Sequence, residues 1–379
     1  MALEEYRNEI DRIDRELIEK LEERMRVAEK IAAYKKENGS RIFDPLRERA
    51  LLDKVTALSA PDMASYNRIL FRSIMEMSKD HQAKVLQQAS PVAAEIQQAL
   101  KTTPKLFPAS ATVACQGVPG AYSQEACDKM FKIPKIMFLK NFEGVFSAIK
   151  SGLCEYGILP LENSTAGSVN QVYDLMMEYN FHIVRSVRLK VNHCLLAREG
   201  AAKGEIREIF SHGQALAQCE KYLKQFPLAK ITECENTAAA AKKVAESGRK
   251  DWAAIGSETN GQLYGLECLE TGIQDNDNNY TRFICISRDL MIYPGANKTS
   301  IMMILDHKPG ALYNVLARFN AMGINLEKLE SRPLPNRDFE FMFYFDIEES
   351  VYSEEFIRMI NQLDEMSREF KYLGSYSEV

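Results

Sequence analysis

The chain has 379 residues, 46% of them hydrophobic, with 48 basic and 53 acidic side chains and a formal net charge of -5. That length predicts two or three domains, and the interleaved, slightly acidic balance excludes the basic face of a nucleic-acid binder while leaving room for small anionic ligands. The opening Met1-Ala2-Leu3-Glu4-Glu5 is charged from the start and no apolar run is long enough to span a bilayer, so a cytoplasmic location is expected. The eight cysteines are never spaced Cys-x-x-Cys; they are expected to be reduced, mostly buried thiols, with no disulfide framework and no zinc site.

Residues 1–89 read as all helix. From Leu3 to Lys36, Leu3, Tyr6, Ile10, Ile13, Leu17, Val27, Ile31 and Tyr34 recur at the 3/4 spacing of an amphipathic helix that stops near Asn38-Gly39. A second helix starts at Asp44-Pro45, with Asp as cap and Pro in the first position, and a third runs from about Asp62 to Gln88. The first helix is about 50 Å long, more than the width of so small a globule, so it is expected to pack along a partner.

Arg24 falls in phase with Ile10, Leu17 and Ile31, inside the apolar seam. An unpaired buried guanidinium costs roughly several kcal/mol. Either an anion meets it, internal carboxylate or bound acid, or its head snorkels to water. Lys35 shares its face about 16 Å further on, so both side chains could close on one small ligand. Arg7 lies about 25 Å before Arg24 and a quarter-turn away, and only an antiparallel partner helix could bring it to that ligand. Ser78 and Gln82 are polar interruptions, one turn apart, in the apolar stripe of the third helix, and Asp44, Arg47 and Glu48 open the second.

Residues 90–110, rich in Ala, Gln, Ser, Thr and Pro, read as a linker with some helical character. From residue 111 to 290, strands at Thr112–Cys115, Ile136–Leu139, Tyr156–Pro160, Ile183–Val187, Trp252–Gly256 and Phe283–Ser287 alternate with helices at Glu143–Lys150, Val169–Glu178, Gln214–Gln225 and Thr237–Ser247. The alternation predicts an α/β domain with a largely parallel sheet. Pro294-Gly295-Ala296-Asn297 marks a boundary. Residues 297–379 then read strand, helix, strand, strand, helix, strand, the βαββαβ order of a ferredoxin-like α+β fold.

Four polar stretches sit at strand ends of the middle domain, where α/β sites form. They are Gly117–Ser123, Pro160–Thr165, Ser211-His212-Gly213-Gln214-Ala215 and Asn279-Tyr280-Thr281-Arg282-Phe283. The first carries no dinucleotide or P-loop fingerprint, and the acidic run Asp275–Asn279 lacks the glycine and terminal glutamate of a calcium loop. Taken singly, each stretch has an ordinary reading as a turn, a helix cap or a β-residue.

Taken together, Arg7, Arg24, Lys35, Asp44, Arg47, Glu48, Ser78 and Gln82 resemble the active site of the all-helical chorismate mutase family over roughly residues 3–88. The resemblance implies an intertwined dimer. Arg24 and Arg7 of the second protomer would hold the two carboxylates of chorismate, and Lys35 and Gln82 the ether oxygen. Glu48 and Asp44 would take the ring hydroxyl, and Arg47 and Ser78 complete the wall.

Residues 111–290 resemble the prephenate dehydratase family, with Thr281-Arg282-Phe283 the most diagnostic motif and Glu162-Asn163-Ser164 supporting it. The chain departs from the family pattern at Gly213, where proline is usual, and at Ala121-Tyr122, where Thr-Phe is usual. The resemblance implies two α/β lobes, like type 2 periplasmic binding proteins, with substrate in the cleft. Thr281 would donate to the leaving hydroxyl, with His212 or Glu162 as proton donor. Arg282, Asn163, Ser164, Thr165 and Phe283 would contact substrate.

Residues 297–379 resemble an ACT regulatory domain of the phenylalanine-binding kind. Gly310-Ala311-Leu312 and Glu330-Ser331-Arg332 are the implied effector residues. The three resemblances tile the chain as two successive reactions and their end-product sensor. They imply chorismate and prephenate as substrates, L-phenylalanine as effector, a homodimer or larger homo-oligomer, and no metal or organic cofactor. A mutase–dehydrogenase fusion would need the absent nucleotide fingerprint. A non-catalytic ligand sensor is the alternative from another class.

Overall fold

A computed structural model of the chain describes residues 2–38, 45–86, 90–334 and 340–379. They form two compact units, one of Met1–Ala94 with Tyr352–Met366, the other of Glu95–Val351 with Ser367–Val379. Among the described residues no helix is long and apolar enough to cross a membrane.

The first unit contains α1 (Ala2–Glu37), α2 (Pro45–Leu58), α3 (Ala64–Leu86) and the start of α4 (Pro91–Thr102). Glu4 and Glu5 in the first turn of α1 and Lys35 and Lys36 in its last complement the helix dipole. Both α1 and α2 pack on α3. The segment expected as a linker with some helical character is helical over Pro91–Thr102, because Ser90 caps it, accepting from Ala93 N at 3.2 Å, and Pro91 takes its first position.

In the second unit the chain continues through β1 (Thr112–Gln116), α5 (Tyr122–Met130), β2 (Lys135–Leu139), α6 (Phe142–Lys150), β3 (Tyr156–Asn163), β4 (Gly167–Ser168), α7 (Asn170–Glu178) and β5 (His182–Lys190). It crosses to a second lobe of β6 (Cys194–Ala197), β7 (Glu208–Ser211), α8 (Gly213–Gln218), α9 (Glu220–Leu223), β8 (Lys230–Glu233), α10 (Thr237–Ser247), β9 (Trp252–Gly256), α11 (Glu258–Tyr264) and β10 (Glu267–Thr271), then returns through β11 (Tyr280–Ser287). The lobe sheets run β2-β1-β3-β11-β5 and β10-β6-β9-β7-β8.

The sheets are mixed, which corrects the expectation of a largely parallel one. Strands β1–β2, β1–β3, β7–β8 and β7–β9 pair in parallel, but β11 runs antiparallel to both β3 and β5, and β6 antiparallel to β9 and β10. The reason is the double crossing: the strand that returns from the other lobe enters from the opposite end. The single helix expected over 214–225 is broken at buried Cys219, whose backbone leaves the helical region at φ -118 and ψ 24.

The chain ends with β12 (Lys298–Ile304), α12 (Ala311–Ala321), β13 (Asn325–Pro333), β14 (Phe341–Glu348), α13 (Glu354–Met366) and β15 (Glu369–Tyr376), with strand order β13-β14-β12-β15, all antiparallel. This sheet shares a core with the first lobe, where Tyr173 of α7 meets Tyr344 of β14 edge-on at 4.8 Å. Gly374 permits the approach of β15 to β5: a Cβ there would lie 2.3 Å from the Ile183 carbonyl oxygen. Helix α13 belongs instead to the first unit, where it packs on α3 and Asn361 accepts from Ser90 N at 2.7 Å.

Candidate active sites

The two crossings between lobes are bonded to one another. Val191 N donates to Asn279 O at 2.8 Å, and Ile273 N to His193 O at 3.1 Å. Beside them lies a cavity of about 250 Å³ lined from the first lobe by residues that include Tyr122, Pro160, Asn163, Thr281 and Phe283, and from the second by His193, His212, Gln214 and Gln218.

Strand alternation decides which residues of the two diagnostic motifs reach this cavity. Thr281 pairs with Asn163 and Arg282 with Glu162, so the first pair faces one side of the sheet and the second pair the other. Asn163 Oδ1 accepts from the backbone amides of Thr165 and Ala166 at 3.0 and 2.8 Å, which forces its amide group outward. That group donates to Thr281 Oγ1 at 2.9 Å and to Asn279 Oδ1 at 2.7 Å. With its oxygen already accepting, the Thr281 hydroxyl has its own proton to give.

Arg282 and Glu162 do not line the cavity. Arg282 is 3% exposed and is engaged by Asp346 at 2.5 Å, Tyr376 Oη at 2.5 Å and Glu162 at 3.2 Å. Burial opposes its charge, but Tyr376 and Asp346 reverse the balance and raise its pKa. Burial would raise the Glu162 pKa, yet Lys328 and Arg282 outweigh it and hold the carboxyl below its usual range. An ionised carboxylate turned away from the cavity is a poor proton donor, so the structure corrects both expectations: Glu162 as acid and Arg282 as a substrate contact. Ser164 and Thr165 are also outside the cavity lining; Ser164 Oγ instead bonds Asn278 O and Tyr280 N, both at 2.9 Å. His212 is exposed at the rim, its Nδ1 accepting from Gln214 N at 3.4 Å.

In the helical unit Arg24 is half-buried, and its Nη1 is buried with no partner among the described residues. Burial lowers its pKa. Ser78 and Gln82 are buried; Gln82 Nε2 donates to Ser78 Oγ at 3.4 Å, and its Oε1 has no partner among the described residues. Glu48 pairs with Lys79 at 3.1 Å. Lys35 is partly exposed and Arg47 exposed, while Asp44 lies outside the described residues. Arg7 is exposed beside Glu4 at 3.3 Å, on the same unbroken helix as Arg24 and about 25 Å from it.

Comparison with known proteins meets this geometry. Residues 113–290 match the prephenate dehydratase family and residues 6–83 chorismate mutase type II. The bifunctional chorismate mutase/prephenate dehydratase of Escherichia coli (strain K12) is 32% identical over 378 residues, covering 98% of this chain and 95% of its own. The chain belongs to the bifunctional chorismate mutase/prephenate dehydratase family.

It therefore carries both activities of phenylalanine biosynthesis, the mutase family matching residues 6–83 and the dehydratase family residues 113–290. The chloroplastic arogenate dehydratase/prephenate dehydratase 2 of Arabidopsis thaliana is 40% identical over 276 residues, 70% of this chain and 72% of its own. A solved prephenate dehydratase from Arthrobacter aurescens in complex with L-Phe has a TM-score of 0.64 at 28% identity, covering 70% of this chain and 89% of its own.

The six residues expected at an effector site fall in two places. Ala311 and Leu312 line a cavity of about 380 Å³ beside Gly310, whose φ of +86 lets the backbone turn there. Glu330 and Arg332 instead face α7 and β4: Glu330 accepts from Ser168 Oγ at 2.6 Å, and Arg332 reaches Asp174 at 2.9 Å. Ser331 between them is exposed. His193, Gln218 and Asn279 were not singled out as site residues from the sequence. The polar pair Asn192-His193 ahead of the apolar run Cys194–Ala197 was the available signal.

Proposed function

We propose that the helical unit is a mutase cradle completed by a second copy of the chain, that Thr281 assists loss of the ring hydroxyl of prephenate, and that the C-terminal sheet is an ACT-type phenylalanine sensor of ferredoxin-like fold. The observation that carries the dehydratase assignment is the orientation of Thr281, held as a donor by Asn163 on the cavity face.

The chemistry asks little else of the cleft. The ring C–O bond and the bond to one carboxylate break; that bond's electron pair enters the ring, CO₂ and water depart, and one proton is taken up. Aromatisation drives the reaction, so placing a donor at the leaving oxygen is the main catalytic task. Phe283 and Pro160 wall the ring.

For the mutase, Arg24 with its unpartnered Nη1 holds one carboxylate, and Arg7 of the second copy the other. Lys35 and Gln82 bond the ether oxygen as its charge grows, which is differential binding of the transition state. Glu48, Arg47, Ser78 and Asp44 complete the wall. The dimer is supported by the first-helix seam itself: Leu3, Tyr6, Ile10, Leu17 and Tyr34 are each more than half exposed, an apolar face of the kind that marks an interface. Phenylalanine binds near Gly310–Leu312, and Lys328, Glu330 and Arg332 on one face of β13 carry its effect to Glu162, Ser168 and Asp174. A cytoplasmic location fits the eight free cysteines.

The test is phenylpyruvate formation from chorismate and from prephenate, with and without phenylalanine. Turnover of both substrates with inhibition by phenylalanine is expected; a chain that binds prephenate without converting it overturns the reading.

A further inference from the structure

The amide network behind Thr281 does not end at Asn279. The backbone amides of residues 165 and 166 fix Asn163 Oδ1 as acceptor, so Asn163 Nδ2 donates to Asn279 Oδ1. Asn279 must then present its Nδ2, which donates to Gln218 Oε1 at 3.0 Å. The same Gln218 oxygen lies 2.9 Å from His193 Nε2. An amide oxygen only accepts, so His193 Nε2 carries the proton and Nδ1 holds a bare lone pair. Two backbone amides on β4's approach thus set the tautomer of a histidine in the opposite wall.

His193 is buried in the wall of the cavity. Its side chain is 2% exposed, its backbone N donates to Gln274 Oε1 at 2.9 Å, and it lines the cavity shared with Thr281. Nδ1 is buried and has no partner among the described residues. Burial lowers the pKa of the ring and so favours its neutral form, with the Gln218 bond acting against that. A buried acceptor left empty costs roughly 1–3 kcal/mol, so the site is arranged for a donor on the ligand. Prephenate with both carboxylates ionised has one strong donor, the ring hydroxyl. Its ketone and carboxylates only accept.

We propose that His193 is a further substrate-contacting residue of the dehydratase: its bare Nδ1 accepts from the ring hydroxyl whose oxygen Thr281 donates to, and Gln218 and Asn279 hold it in that tautomer. The leaving hydroxyl is bracketed, donor on one side and acceptor on the other. A hydroxyl that donates becomes a better acceptor, so the His193 bond strengthens the one from Thr281 and fixes the direction of the breaking C–O bond. The inference rests on the dehydratase reading of the cleft and deepens it.

Two measurements on the full chain test it. Nitrogen-15 spectra of histidine-labelled protein, which has five histidines, should show His193 protonated at Nε2 and bare at Nδ1. Asn279→Asp, which can only accept, should turn the Gln218 amide and reverse that tautomer. Protonation at Nδ1 in the unsubstituted chain overturns the proposal. In kinetics, His193→Gln, which keeps a polar group at the Nε2 position, should lower prephenate kcat/KM about tenfold or more. His193→Asn, with its oxygen near the Nδ1 position, should recover most of it. Phenylpyruvate has no ring hydroxyl, so its inhibition constant should stay the same in both variants. Equal losses in the two variants, or a parallel rise in that constant, assign His193 to structure or to another part of the substrate and overturn the proposal. Turnover by the unsubstituted chain tests the cleft itself, separately from the ratio between variants.

Discussion

Arg282 donates to Asp346 across 2.5 Å, and both side chains are buried. Arg282 is the neighbour of Thr281 on β11, so successive residues of one strand serve two faces: Thr281 the cavity, Arg282 the C-terminal sheet. Asp346 is held in turn by Ser300, whose hydroxyl also meets Tyr376 at 2.6 Å and accepts from Tyr344 at 2.9 Å.

Asp346→Ala should therefore be among the most damaging single changes in the second unit. It leaves a buried guanidinium without its closest counter-ion, a loss of about 3–5 kcal/mol. Urea unfolding of the full chain measures it, and a change below about 1 kcal/mol would show that Glu162 and Tyr376 suffice for Arg282. If the strand transmits regulation, a milder Asp346→Asn should also bring dehydratase rates with and without phenylalanine closer together.

Much of this arrangement was legible in the sequence, and the parts that were not have physical causes. The long helices of the first unit announce themselves by apolar spacing, and Arg24 by its conflict with that spacing. Of the second-lobe strands only β9 does so; β8, for one, is short, polar and mostly exposed, so it has no alternation to read. Placing Arg282 and Glu162 on the far face needed only the period of two, since neighbours such as Thr281 and Arg282 cannot point the same way along a strand. The partners of Arg282 were out of reach, because Asp346 is brought to it by tertiary docking alone. His193 was hidden for the same reason; its significance depends on Gln218 and Asn279, both distant in sequence.

The two activities should separate cleanly. Arg24→Ala removes a charged group whose Nη1 has no hydrogen-bond partner among the described residues, and should lower the mutase rate about 10²-fold or more while prephenate turnover persists. Thr281→Ala should do the reverse. Assays of each variant with chorismate and with prephenate decide it, and equal losses in both reactions would contradict separate sites.

Asn163→Asp tests direction rather than presence. The side chain keeps its size and still accepts from the amides of residues 165 and 166, but offers Thr281 an acceptor where there was a donor. The Thr281 proton would turn toward the new carboxylate and away from substrate. Dehydratase kcat should fall about 10²-fold. Combining the change with Thr281→Ala should leave only the smaller loss that Asn163 causes through Asn279, Gln218 and His193, because the Thr281 hydrogen bond is already gone. Losses that multiply in full would place Asn163 in a role independent of Thr281.

Acid should loosen the C-terminal sheet through His182. This side chain is 6% exposed on β5, and its Nδ1–H donates to Tyr372 O of β15 at 3.2 Å. Burial lowers its pKa from 6.5 to about 4; Lys371 pushes the same way, while the Tyr372 carbonyl and Asp289 act against it. Between those two values the unfolded chain binds a proton that the folded chain refuses. Stability is thus complete above about pH 6.5 and declines as pH falls toward 4, by about 3 kcal/mol over the window. His182→Asn keeps a donor for the carbonyl and cannot titrate, so its unfolding free energy should fall less steeply between pH 7 and 4.5. Parallel curves for the two proteins would remove His182 as the cause. Because β5 also pairs with β11, the strand that carries Thr281, the same acid titration should lower dehydratase activity before it lowers the mutase.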